Sequence, residues 1–125
     1  MILTVNLRDE ESKIIGERQF VLSEKILTAK NIQKCFAKPF LKVVKSIGDM
    51  DIDQHIAFLA CGLKDGSSEE FKQVMLENAG LSEIVEAVTE LTLAIQYPGL
   101  SEEEREKKLM AQQEKAKRMD VGYQD

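Results

Sequence analysis

Three aspartates at positions 49, 51 and 53, a single histidine at 55, and cysteines at 35 and 61 have the types and spacing for site chemistry. Alternating aspartates open calcium-binding loops. Such a loop also needs glycine at its sixth position, for a sharp turn, and a carboxylate at its twelfth, to close on the ion. Counted from Asp49, those positions hold Gln54 and Ala60. The calcium reading fails, and the aspartates read as helix caps. His55 has no second imidazole with which to share a metal, and as a general base it has no nucleophile proposed beside it. It is expected on the surface or edge of an amphipathic helix. Cys35 and Cys61 lie inside apolar helical patterns with nothing pointing to secretion, so two buried free thiols are expected rather than a disulfide. The sequence shows no glycine-rich phosphate loop, paired-cysteine motif or nucleophile elbow. Glu102, Glu103 and Glu104 read as a solvated helix start. No catalytic, cofactor-binding or metal-binding residue is assigned, and enzyme activity is not expected.

Lys30, Lys34, Lys38 and Lys42 fall four apart and would form one basic row on a continuous helix. Such a row can meet nucleic-acid phosphates. Against that stand an acidic chain overall, the lack of arginine in the row, and Phe36 and Phe40 on the apolar side. A solvated face is the simpler reading, and if the row binds anything, an acidic protein surface fits better. That surface could belong to a neighbouring copy. A small regulatory or nucleic-acid-binding protein is the alternative function.

The 125 residues suit one domain, and 43% apolar with 31% charged content is that of a globular chain. Net charge is −5 but uneven. Residues 23–46 carry six lysines against Glu24, a net +5, while residues 47–100 carry ten acidic residues against Lys64 and Lys72, a net −8. This asymmetry can steer self-association or docking. The first residues lack the basic start and long apolar run of a signal peptide. The longest apolar run, 56–63, is far short of the roughly 20 residues that span a membrane. A soluble cytoplasmic protein is expected.

The helix expected at 81–97 is the centre of the pattern. Leu81, Ile84, Val85, Val88, Leu91 and Ile95 recur at three-and-four spacing, opposite Glu83, Glu86, Thr89 and Glu90. Upstream, Ile2, Thr4 and Asn6 alternate with Leu3, Val5 and Leu7, and a second strand-like run covers 19–22. A β-hairpin should therefore start the chain, packed on helices or paired with another copy, because an isolated hairpin is marginal in water. Ser23 is the expected cap of a helix whose apolar face holds Ile26, Leu27, Ile32, Cys35, Phe36, Phe40, Val43, Val44 and Ile47. Pro39 should kink or divide it near Lys38, and Gly48 should end it. Asp51 with Gln54 caps the next helix, with Ile52, Ile56, Leu59 and Leu63 as its stripe. Lys64-Asp65-Gly66 turns the chain, and Ser67 with Glu70 forms a capping box opening a helix to Asn78. Pro98-Gly99 stops the helix at 81–97. Ser101 with Glu104 then caps a polar helix, with charge pairs one turn apart and few apolar residues. The fold class is mainly α with a small N-terminal β-hairpin (α+β). It comprises a compact bundle of four to five helices over 1–100 (hairpin 1–22, helices 23–100) and a charged C-terminal helix over 101–125.

This order resembles the tail assembly chaperones of long-tailed bacteriophages and related prophages. The likeness rests on VNLRDEESKIIGERQFVLSEKILTAKNIQKC, a strand pair running into a lysine-bearing helix. It rests also on DIDQHIAFLACGLKDGSSEEFKQVMLENAGLSEIVEAVTEL, where an apolar helix ends in Gly62-Leu63 before a short capped helix and a longer amphipathic one, and on the polar tail from Ser101. The resemblance implies a non-enzymatic protein, absent from the mature virion, that coats the long tape measure protein, keeps it soluble and helps recruit tail tube subunits. It also implies self-association and a C-terminally extended form made by frameshifting; on the residues alone, neither a cofactor nor a membrane partner is expected. The candidate partner-contacting residues are Lys30, Lys34, Lys38 and Lys42, with Leu93 and Tyr97 off the core line of 81–97, and Leu109 and Met110 in the tail.

Overall fold

The computed structural model describes residues 1–99, 101, 103–108 and 110–111. Strands β1 (Ile2–Arg8) and β2 (Ile14–Val21) pair antiparallel, with Ile2 opposite Val21, Leu7 opposite Gly16, and a register shift between Leu7 and Arg8. Asp9 builds the turn: its carboxylate accepts from the amides of Glu11 (2.9 Å) and Lys13 (3.0 Å), while Ser12 takes a left-handed φ of 66°. Side-chain bonding of this kind is what makes Asp a turn residue. Five α-helices follow among the described residues: α1 (Ile26–Phe36), α2 (Phe40–Lys45), α3 (Ile52–Ala60), α4 (Ser68–Asn78) and α5 (Leu81–Gln96). A 3₁₀ turn, Ile47–Asp49, joins α2 to α3, and residues 103–108 are again helical. The mainly helical fold with an N-terminal hairpin is as the sequence predicts.

The hairpin packs on α4 rather than standing free. Phe20 meets Phe71 edge-on with centroids 4.8 Å apart, the Arg18 guanidinium pairs with Glu70, and the Asn78 side-chain oxygen Oδ1 accepts from the Arg8 amide at 2.9 Å. The far end of β2 is held by the chain after α3, where Lys64 donates to the Val21 carbonyl (3.0 Å) and Ser23 to the Gly62 carbonyl (2.7 Å). Gly62 sits closely against α1 there. A methyl group at its α-carbon would lie 3.3 Å from Thr28 Cγ2, so that the Thr28 side chain would have to give by a few tenths of an ångström, and in ordinary contact, 3.5 Å, with Leu22 Cβ.

The core joins Val5 and Phe20 of the hairpin to Ile32, Val43, Ile56, Phe58, Leu59, Phe71, Met75, Ile84, Val88, Leu91 and Ile95. The side of α5 formed by Ile84, Val88, Leu91 and Ile95 is buried, as its spacing predicts. Leu81 and Val85, assigned to the same stripe, are exposed, and Ala87, Thr92, Leu93 and Ala94 are buried instead. The dry face thus widens toward the C-terminal half of the helix. Thr92 satisfies its hydroxyl on the Val88 carbonyl at 2.8 Å, so a polar side chain enters the interior without losing a hydrogen bond.

Several local expectations need correction. Helix α1 starts at Ile26 after Lys25, not at Ser23, whose hydroxyl accepts from the Lys25 amide at 3.3 Å ahead of the first turn. Ile26 and Leu27 are 73% and 61% exposed. At ~100° per residue they point roughly 120° and 140° away from Ile32, whereas Thr28 and Ala29 share its side. Ile52 is exposed too, and His55 is buried at 7%. Helix α3 is covered by α4 and α5 and by α1, so its buried surface spans His55, Ile56, Phe58 and Leu59 rather than one stripe. The His55 ring nitrogen Nδ1 meets the Asp51 carbonyl at 2.9 Å, giving the imidazole a partner inside. Asp51 and Gln54 form the full reciprocal capping box. Ser67 caps α4, but the Glu70 carboxylate turns to Arg18 instead of closing a second box.

Candidate partner-binding surfaces

Pro39 and a left-handed Ala37 (φ 55°) end α1 before α2 begins, so the lysine row is not continuous. Lys30 and Lys34 lie on α1, Lys38 in the link and Lys42 on α2, and all four are exposed. Proline cannot donate an amide to the preceding turn, and this one residue divides the row. Exposed aliphatic side chains accompany the lysines: Ile26 and Leu27 on α1 and Leu41 on α2. This corner of the molecule is therefore both basic and greasy.

The second expected surface is corrected in part. Leu93 is buried, at 3%, and does not face a partner. Its position in the wide C-terminal half of α5 explains this, for residues 91–95 are all buried. Tyr97 remains 38% exposed, with the Lys108 ammonium 4.0 Å above its ring, a cation–π contact worth of order 1 kcal/mol or less at an open site. Met110 is exposed, and Leu109 lies outside the described residues.

Residues beyond α5 return to the start of the chain. Ser101 caps the 103–108 helix through the Glu104 amide (3.2 Å), and Arg105 Nη2 reaches Glu24 Oε1 at 2.9 Å. The same oxygen lies 3.1 Å from the Met1 ammonium, which also donates to the Leu22 carbonyl. Burial alone would raise the Glu24 carboxyl, but the hydrogen bonds from Met1 and Arg105 overcome that and hold it below its usual value. Sequence pattern missed this contact, because it joins residues 81 positions apart. At least this part of the polar tail is tied to the domain.

One groove of about 370 Å³ opens between α1, α3 and α4, lined by Cys35, Asp53, Ile56, Ala57, Ala60, Cys61, Ser68, Glu69 and Lys72. Asp53 and Lys72 pair across it at 3.5 Å. Cys35 is exposed and Cys61 half-buried, both as free thiols. The expected burial of Cys35 is thus corrected: it lines the groove and is open to solvent there. Among the described residues no group of three or more His, Cys, Asp or Glu side chains is placed to hold a metal. Neither is any described helix long and apolar enough to cross a membrane. No family model, curated protein or solved structure matches this chain.

Proposed function

We propose that this protein is a non-enzymatic tail assembly chaperone that binds a tape measure protein and keeps it soluble in the host cytoplasm during tail morphogenesis. The observation that carries the reading is the basic, greasy corner at α1 and α2, where Ile26 and Leu27 stay 73% and 61% exposed in a lysine-rich segment. A tape measure is a very long, largely helical chain whose apolar seams aggregate when bare. An aliphatic surface edged by lysines suits such a seam where acidic side chains flank it. The element order also supports the reading: a hairpin, a lysine-bearing helix, an apolar helix running into Gly62-Leu63, a capped helix and a long amphipathic one. In this reading copies of the chain line up along the tape measure, opposed charge blocks favour their self-association, and the assembly recruits tail tube protein.

Co-expression with a candidate tape measure protein tests the proposal. The tape measure is expected to move from the pellet to the soluble fraction and to co-purify with this protein. No gain in solubility together with no co-purification would contradict the proposal. The exposed lysines also support the alternative of nucleic-acid binding, which predicts salt-sensitive binding weakened by Lys34→Ala and Lys38→Ala. Flat titrations with DNA and RNA at low salt would remove that alternative.

A further inference from the structure

Three residues of α1 at helical spacing, Thr28, Asn31 and Cys35, lie along the chain segment that leaves α3. Thr28 is the side chain that a methyl at Gly62 would strike first, at 3.3 Å. Asn31 Nδ2 donates to the Cys61 carbonyl at 3.4 Å. One turn further along the same face, Cys35 lines the groove that Cys61 also lines. The two thiols are thus brought to one groove by packing between elements far apart in sequence. We propose that Cys35 and Cys61 form a reversible intramolecular disulfide that staples α1 to the end of α3, closing in exchange with a low-molecular-weight disulfide such as oxidised glutathione.

The two cysteines differ in a way that orders the steps. Cys35 is open to solvent. Burial first, and then the neighbouring Cys35 side chain, push the Cys61 thiol up to about 12, and its Sγ donates to the Ala57 carbonyl at 3.2 Å. The thiolate is the attacking species, so Cys35 attacks first. It loses its proton to solvent, bonds to one sulfur of the small disulfide, and displaces the other as a thiolate. Cys61 then gives up its proton and attacks the Cys35 sulfur, forming the Cys35–Cys61 bond and expelling the second small thiolate. Two protein thiols are oxidised, one small disulfide is reduced to two thiols, and reversal by excess small thiol reopens the bridge. The closed loop holds α2, the 3₁₀ turn and α3, so the bridge ties the end of α1, beside Lys38 and Lys42, to the end of α3.

Oxidised glutathione added to the full-length protein, followed by intact mass, non-reducing peptide mapping and thermal melting, tests the proposal. The monomer should lose about 2 Da, one hydrogen per thiol, and yield a linked pair of peptides carrying Cys35 and Cys61. The melting temperature should rise by roughly 10 °C, because the bridge restrains the unfolded chain, and fall back on reduction. Cys61→Ser should instead accumulate glutathione on Cys35, and Cys35→Ser should show neither change. Wild-type protein that retains glutathione on Cys35, or links only between chains, would overturn the proposal. So would an internal bridge that lowers the melting temperature, since closing it would then distort the α1–α3 contact.

Discussion

Helices α5 and α1 both carry apolar residues at helical spacing, yet α5 buries eight of its 16 residues and α1 only three of 11. The difference lies in cover. Helix α5 packs mainly on α3 and also on α1, and its buried surface widens from Ile84 to Ile95. Helix α1 has neighbours on the side of Thr28, Ala29 and Ile32, while Ile26 and Leu27 look outward. Spacing shows that a helix has a dry side, but not that the chain supplies enough partner surface to cover it. In this molecule one helix is spent on the core and the other leaves aliphatic side chains uncovered among lysines.

The contrast is sharpest under truncation. Leu91→Ala in α5 removes a side chain with no exposed surface, and should lower unfolding free energy by about 3 kcal/mol in a denaturant titration. A loss below about 1 kcal/mol would mean that α5 is not the centre of the core. A smaller effect is expected at the tie between the chain after α5 and the entry to α1. The Glu24 carboxyl is held below its unfolded value by Met1 and Arg105. Its contribution is therefore fully present above the unfolded carboxyl range, near pH 4.3, and disappears as pH falls through the lower folded value. Arg105→Ala should remove about 1 kcal/mol or less at pH 7. Its cost should shrink toward zero in acid melts, where the wild type loses the same contact. A cost that persisted at low pH would point to lost packing of the arginine stem instead.

How far the sequence carries this picture depends on the range of the interaction. The Asp51–Gln54 box, the Ser67 cap, the turn at Gly66 and the stop at Pro98-Gly99 all formed where expected, because caps and turns depend on residues a few positions apart. The Ile84–Val88–Leu91–Ile95 line was equally readable. Burial of His55 was not, since it follows from α3 being covered on more than one side. Leu93 was misplaced for a similar reason: an angular position on one helix does not reveal how wide its covered face is. The placement of Cys35 and Cys61 on one groove, and the meeting of Arg18 with Glu70 and of Arg105 with Glu24, depend on tertiary approach, which periodicity does not encode. For the lysine row, the sequence contained both signals. Proline at 39 broke the helix that the spacing of the lysines presupposed.

The proposed division of labour between α5 and α1 is tested most directly by Ile26→Ser combined with Leu27→Ser. The variant protein is co-expressed with a candidate tape measure protein, and the amount of that protein co-purified is measured against wild type at matched melting temperature. Both side chains are already exposed, so the melting temperature should stay within a few degrees of wild type. Capture should fall at least tenfold. Undiminished capture by this folded variant would contradict the proposed assignment of the α1 corner as a partner-binding surface.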